Sequence, residues 1–547
     1  MKKFYSILLA MLPLPFISAQ NCNGPGEAQI DLNANNINAR LLNSGDLWWD
    51  GTNGKYITNS INGNEVSAIF AGAFWMGAIG PTMNLHVAGQ TYRLPTRTDF
   101  YPGPIDDSTG QEFENGCEDW DRFFVVTKTE VNDHLLDAND GNIDNEITNI
   151  YGWPAINNPF FESIHGFALP QNQSFAPFFD VDQDGIYDPS KGDYPDVKGD
   201  ENIWWVFNDI ADAHRVTQGA PLGFETQVLA YASYNIDNED LNNTTFYDVK
   251  VINKSLEPRN DAFLGLWVDF DLGCYTDDFI GYDEEYSMMY VYNQDDYDGD
   301  PIQGCPNNLG SYEDKIPILG IKKIDAAIKP VSSFIVLTGN FIFPPTSSPT
   351  YALHYYNNLR GMFKDGTPIT YGGNGYNPQS IDTVNYMYTG DPTDTLGWSL
   401  CAEPMVAADR RALMNTSMGD LLPGQSFTSS YAVVVTHDVD YPCPSLQSLK
   451  NAVDNACEGI FSSTKITNKS ESFNLFPNPA SSEITISSDK EFSSIKLYAL
   501  DGRILLHLNS INSTTHTIQV DKLSAGTYLS EIIFKDGRSA FQKMIIY

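Results

Sequence analysis

Short runs of β-branched and aromatic residues recur along this chain, each bounded by Asn, Asp, Gly or Pro. Phe123–Thr127, Ile203–Phe207, Val228–Tyr234, Tyr247/Val249/Val251 and Tyr431/Val433/Val435 are the clearest of them. Branched and aromatic side chains fit a pleated surface, and the bounding residues favour turns, so each run reads as a strand. One segment, Leu446–Phe461, places apolar residues at helical spacing: Leu446, Leu449, Val453, Cys457 and Ile460. The expected class is all-β, a β-sandwich-like ectodomain with long acidic loops followed by a small C-terminal immunoglobulin-like β-sandwich.

Charge separates the two modules. Residues 466–547 carry eight basic and eight acidic side chains, whereas 20–465 carry 22 and 62 and hold all nine tryptophans. The polar stretch 462–472 reads as the linker between them. The ectodomain, 20–461, is expected to divide near residue 200, into 20–200 and 201–461. A formal charge of −38 argues against nucleic-acid phosphates as a partner and disfavours anionic lipid, since both need a cationic face. Beyond the N-terminus no stretch offers the roughly 20 apolar residues of a spanning helix.

Lys2 and Lys3 precede an apolar run from Phe4 to Ile17, and Ser18-Ala19 precede Gln20. This is the layout of a secretory signal peptide, 1–19, cut after Ala19; the run is short for a membrane anchor and contains Pro13 and Pro15. An exported chain can oxidise its cysteines. Seven is an odd number, so at least one lacks an internal partner. Cys443/Cys457 and Cys274/Cys305 are the pairs to test first, being close in sequence, and no spacing matches a CxxC zinc pattern.

After the linker comes Phe473-Asn474-Leu475-Phe476-Pro477-Asn478-Pro479-Ala480, whose prolines exclude a helix. Period-two segments follow at Ile484/Ile486, Ile495/Leu497/Ala499, Ile504/Leu506/Leu508, Ile518/Val520 and Tyr528–Phe534, with turn signals at Asp501-Gly502 and Asp536-Gly537. Six or seven short strands in so few residues make a small antiparallel sandwich. The order FPNPAS, strand, LYALDGR, strand, IQVDKLSAGTYLSEI and a closing QKMIIY resembles the type A C-terminal sorting domain of the Bacteroidota type IX secretion system. That resemblance, over 473–547, implies engagement of the type IX machinery, transport of a folded cargo across the outer membrane, and removal of the tail by a sortase-like protease. The product is then secreted or cell-surface attached.

The ectodomain is similar to a group of exported Bacteroidota proteins that carry the same tail. The likeness runs through Gly45-Asp46-Leu47-Trp48-Trp49-Asp50, Ile69–Trp75, Asp99–Pro104, Trp204–Asp209 and Leu241–Phe246. It implies a shared fold and transfers no chemistry.

The sharpest local motif is Asp180-Val181-Asp182-Gln183-Asp184-Gly185-Ile186-Tyr187-Asp188. Carboxylates of Asp180, Asp182, Asp184 and Asp188, with the Ile186 carbonyl between them, have the spacing that wraps oxygens around calcium. Gly185 permits the tight bend. An EF-hand needs a bidentate Glu at position twelve, where this chain has Lys191; a shorter loop of the thrombospondin type 3 or dockerin kind fits better. The competing reading is a solvated acidic turn. A second cluster follows Leu264–Leu272, in which alternation puts Asp269 and Asp271 on one face, with Asp277, Asp278 and Asp283 next in the chain. A wet outer strand face is the expectation there, with a second cation site as the alternative. Asp137–Glu146 and Asp295–Asp300 read as solvated turns.

No GxSxG elbow, HExxH, phosphate loop or dinucleotide fingerprint is present. His165, His214 and His354 stand apart from one another in sequence. Trp204 and Trp205 must face opposite sides of one strand; one belongs in the core, and the other either covers a second layer or stacks on a sugar. With no catalytic residues assigned, the leading expectation is a non-enzymatic structural, adhesion or binding protein stiffened by calcium, its partners extracellular polysaccharide or surface proteins. The rivals are a secreted hydrolase of polysaccharide or protein, and a carbohydrate-binding module.

Overall fold

The computed structural model describes residue 22 and residues 24–547, apart from 62–63, 93–96, 307–309, 326–331, 338–343, 404–408, 464–472, 500–503, 525 and 536–538. The segment read as a signal peptide, most of the stretch read as a linker and the two Asp-Gly pairs read as turns of the tail lie outside the described residues. Residues 462–463, assigned to the linker, continue the helix Gln447–Ser463. The chain separates into two compact units that divide between Thr464 and Lys465.

Among the described residues the larger unit holds two large antiparallel sheets and a small two-stranded one. All five runs singled out above fall in one of them, a nine-stranded sheet. Its order is Asp278–Asp283, Met288–Asn293, Ile318–Lys323, Ser426–Thr436, Thr244–Asn253, Phe224–Ala232, Glu201–Asn208 and Tyr101–Pro102, with Phe124–Thr127 also on Glu201–Asn208. The other large sheet has ten strands. It runs from Ser332–Leu337 through Arg410–Leu421, Arg259–Phe270 and Ala71–Ile79 to N-terminal strands that include Asn38–Leu42 and Tyr56–Ile61. Both large sheets take strands from before and after residue 200, so no domain boundary exists there. Each sheet buries its inner face only when both segments are present.

Aromatic residues fill the space between the sheets. Trp48 Nε1 donates to Tyr247 Oη at 2.9 Å, and Phe74 stacks on Phe207 at 6.3 Å between ring centres. Burying one such side chain contributes about 2–3 kcal/mol. Trp204 packs against Phe124 at 5.8 Å and Trp205 against Phe123 at 5.4 Å, on opposite faces of their strand. Both indoles are fully buried, so both are core and neither is a platform for a sugar.

The helix Ala352–Leu359 covers the outer face of the ten-stranded sheet. Tyr355 lies 4.6 Å from Trp75 and Tyr356 6.0 Å from Phe263. A Cβ on Gly265 would sit 2.7 Å from Leu359 Cδ2, so glycine there lets the helix approach. The expected wet face is not found at Asp269, which lies on the same side as Phe263 and Gly265 and is buried, with Tyr92 and Arg411 on its carboxylate.

Three disulfides brace the larger unit: Cys22–Cys117, Cys274–Cys305 and Cys401–Cys443. The Cys274/Cys305 pair is the one expected. Cys443 pairs with Cys401 instead of Cys457, which is the one free cysteine among the described residues. Cys457 sits on the helix Gln447–Ser463, and proximity in sequence does not bring its sulfur to the loop that carries Cys443.

The smaller unit is a five-stranded antiparallel sheet bent on itself. Glu483–Ala499 and Ile504–Gln519 span 17 and 16 residues, each joining two of the shorter strands expected from the sequence. A register shift between Ser487 and Phe492 lets the first half of Glu483–Ala499 pair with Phe473–Phe476 while its second half pairs with Gly526–Phe534. Ile484, Ile486, Ile495, Leu497, Ile518, Val520, Ile532 and Phe534 form its core. No helix among the described residues is long and apolar enough to cross a membrane.

Candidate functional site

The Asp180–Asp188 loop hangs between Phe178–Phe179 and Tyr194–Pro195, which pair with each other. Tyr187 anchors it, its ring buried and its hydroxyl donating to the Ile150 carbonyl at 2.7 Å. The backbone turns at Gly185, whose φ is +80°, and folds its amides onto the carboxylates. Gly185 N donates to Asp180 at 2.8 Å, Asp184 N to Asp180 at 3.2 Å, and Ile186 N to Asp184 at 2.8 Å.

Asp193, which the sequence reading left out, completes the group. It is buried, accepts from Val181 N at 2.7 Å and Asp188 N at 2.8 Å, and brings an oxygen within 4.8 Å of Asp180 and Asp182. Burial raises its pKa, and the carboxylates of Asp180 and Asp182 add to that. Asp184 and Asp188 face Lys191 instead. The Lys191 ammonium lies 2.8 Å from Asp184, 3.3 Å from Asp182 and 3.8 Å from Asp188. The loop therefore has two ways to balance its charge: an internal ammonium, or a hard cation on carboxylate oxygens.

A second concentration of acid lies at the end of strand Arg259–Phe270. Asp269, Asp271 and Asp409 bring carboxylate oxygens within 4.8 Å of one another. Arg411, across the sheet from Asp269, is 3.1 Å from Asp269 and 2.9 Å from Asp409, and Tyr92 donates its hydroxyl to Asp269. Burial pushes Asp271 far above the usual carboxylate range, with the charges on Asp269 and Asp409 adding to the effect. Tyr92 and Arg411 also line a cavity of about 140 Å³ with Trp75, Trp267 and Tyr355. Asp271 lines another, of about 200 Å³. Nothing in the local sequence links Tyr92, Asp409 and Arg411 to Asp269; strand pairing brings Arg411, with Asp409 beside it, and the segment after Leu85–Gly89 brings Tyr92.

The same strand end leads to Asp277, Asp278 and Asp298. Leu272 N donates to Asp278 at 3.0 Å, Gly299 N to Asp277 at 2.6 Å, and Cys274 N to Asp298 at 2.9 Å. Burial raises all three pKa values, that of Asp298 to about 7. Asp283 stands apart, paired with Lys450 at 2.8 Å.

The histidines have structural partners. His165 Nε2 lies 2.8 Å from the Gly152 carbonyl, and His354 Nδ1 3.0 Å from Thr350 Oγ1. His214 is buried with each ring nitrogen 2.7 Å from a carbonyl, Val87 O and Asp209 O. Carbonyls only accept, so the pair favours the form in which both nitrogens donate, the imidazolium. Burial opposes that charge, but Asp99, Asp209 and the two carbonyls outweigh it and raise the pKa.

Residues 474–547 match the family model described as the secretion system C-terminal sorting domain. The chain thus carries a type IX sorting tail, which marks it for export to the cell surface or into the medium. No curated protein matches the chain. Solved structures that it resembles include a polysaccharide lyase, at 10% identity and a TM-score of 0.18, over 59% of this chain and 34% of that one. PorZ, a surface component of the type-IX secretion system of Porphyromonas gingivalis, follows at 10% and 0.13, over 63% and 43%. Dimeric latent PorU from Porphyromonas gingivalis matches at 11% and 0.12, over 63% and 31%. The chain spans about a third of the length of the lyase, and likenesses at these TM-scores carry no functional argument.

Proposed function

We propose that this chain is a type IX cargo whose ectodomain acts outside the cell as a non-enzymatic structural, adhesion or binding body, stabilised by calcium in the Asp180–Asp193 loop. The observation that carries this reading is the joining of an acidic, disulfide-braced sandwich to a sorting tail that forms its own compact unit. In this reading the tail engages the secretion machinery and a sortase-like protease removes it. Asp180, Asp182, Asp184 and Asp188, with the Ile186 carbonyl, hold the ion, and Asp193 backs them. Deleting 473–547 is expected to trap the protein in the periplasm; normal surface delivery without the tail refutes the sorting role. A melting scan with calcium and with EDTA tests the ion, and identical transitions count against it.

A second reading, a hydrolase of polysaccharide or protein, is favoured by the neighbouring Asp269 and Asp271 beside two small cavities. Two carboxylates with different proton affinities are what acid–base cleavage needs. Turnover of any polymer by the purified protein, abolished in Asp271→Asn, would replace the first reading with this one.

A further inference from the structure

The segment after strand Met288–Asn293 runs Asn293-Gln294-Asp295-Asp296-Tyr297-Asp298-Gly299. The overlapping Asp295–Asp300 reads from the sequence as a solvated turn, but Asp298 is buried, and so is Asn293, which ends the strand. Asn293 pairs across the sheet with Asp278, so the two side chains share a face. Asn293 sends its amide nitrogen into a ring of oxygens: Asp295 O, Asp295 Oδ1 and Tyr297 O, each at 3.3 Å. The Asp277 carboxylate faces the same amide. An NH₂ group has two hydrogens, and this one is surrounded by more acceptors than it can serve, all beyond the best N–H···O distance.

The oxygens nearby are poorly matched in turn. Asn293 Oδ1, Asp278 Oδ1 and Asp277 Oδ1 are buried and lack a hydrogen-bond partner among the described residues. Asn293 and Asp278 are each at least nine-tenths buried, so water cannot serve them freely. Orphaned buried acceptors are uncommon in a folded protein and call for a donor or a cation. A half-turn of the amide exchanges its nitrogen and oxygen at almost no steric cost. Oδ1 then takes the place of Nδ2, 3.3 Å from Asp295 Oδ1 and from Tyr297 O and facing Asp277, a spacing that oxygens sharing one cation adopt.

We propose that this ring is a calcium site, with Asn293 Oδ1, Asp295 Oδ1, the Tyr297 carbonyl and Asp277 Oδ1 as its protein ligands. The mixture of amide, carbonyl and carboxylate oxygens suits a hard cation with flexible geometry. Asp295 is exposed, which leaves an entry path and room for water to complete the six to eight oxygens calcium takes. Asp298, within 4.8 Å of Asp277, adds negative charge behind the ligands while its own oxygens are held by Cys274 N and Tyr312 N. The Cys274–Cys305 bridge ties the two loops together beside it. The site is separate from the Asp180 loop and does not rest on that loop binding calcium.

The test is calcium stoichiometry of the full chain, stripped with chelator and titrated with CaCl₂ by calorimetry, with native mass spectrometry as a second count. The paired variant Asp182→Asn/Asp184→Asn is expected to retain one ion. Adding Asp295→Asn, at an exposed position that leaves the fold intact by near-ultraviolet circular dichroism, should remove it. Asp277→Asn alone should weaken that ion about tenfold or more. No uptake by the Asp182→Asn/Asp184→Asn variant, or uptake that Asp295→Asn and Asp277→Asn leave unchanged, overturns the proposal. A single ion lost in Asp182→Asn/Asp184→Asn overturns this site and leaves the Asp180 loop standing; a single ion lost in Asp295→Asn does the reverse.

Discussion

Lys191 holds its ammonium 2.8 Å from Asp184 Oδ2, among the same carboxylates that would bind an ion in the Asp180 loop. The lysine and the ion are therefore competitors. Lys191→Gln is expected to raise the calcium affinity of the loop, roughly twofold to fivefold given its exposure. It should also widen the gap between the calcium and EDTA melting temperatures. Unchanged affinity by calorimetry would place the ion elsewhere or nowhere.

His214 gives the ectodomain a pH dependence of known sign. Its folded pKa is raised above the unfolded value, so its contribution to stability is complete below the unfolded pKa of about 6.5 and is lost as pH rises through the folded pKa. His214→Gln should lower the denaturation midpoint most at pH 5–6 and progressively less at higher pH. A deficit that grows with pH would contradict the imidazolium between Val87 O and Asp209 O.

Asp271 has the opposite logic. A carboxyl whose folded pKa is raised destabilises the fold once it ionises, and the penalty grows as pH climbs from about 4 to the folded pKa. Asp271→Asn removes that penalty, so the variant is expected to unfold at higher denaturant than the wild type at pH 7 and to match it near pH 4. Equal stability at both pH values would mean that Asp271 is solvated.

The cysteines can be counted. Intact protein should present one reactive thiol, Cys457, and alkylate slowly, because burial pushes that thiol up to about 11. Cys457→Ser should leave three bridges and near-native stability. Cys443→Ser should free Cys401 and cost about 2–4 kcal/mol in denaturant unfolding. Two reactive thiols in Cys457→Ser, where none is expected, would restore the Cys443–Cys457 pairing first expected from sequence spacing.

The tail was legible almost residue by residue. Its alternating Ile484/Ile486, Ile495/Leu497 and Ile518/Val520 are the buried set, because a two-residue period fixes which face of a strand is inward whatever it pairs with. Length escaped the same pattern: a bulge near Ser487 leaves the alternation intact on either side, so two expected strands became one. In the ectodomain the strands were visible, and so was the helix Gln447–Ser463 from its apolar stripe. The helix Lys128–Asp137 was missed although Thr127 and Glu130 spell out its capping box.

By itself the sequence determined the class of fold, the charge imbalance between the modules and the address on the tail, since each is a property of neighbours along the chain. Only the tertiary structure decided which acids are dry. Asp269 and Asp271 alternate like a solvated strand face, yet Asp269 is buried beneath Tyr92 and Arg411, the arginine arriving from a strand some 140 residues away. Asp193 and Asn293 likewise acquired their surroundings from loops that meet in space. Burial is set by what packs over a side chain, and no local periodicity records it.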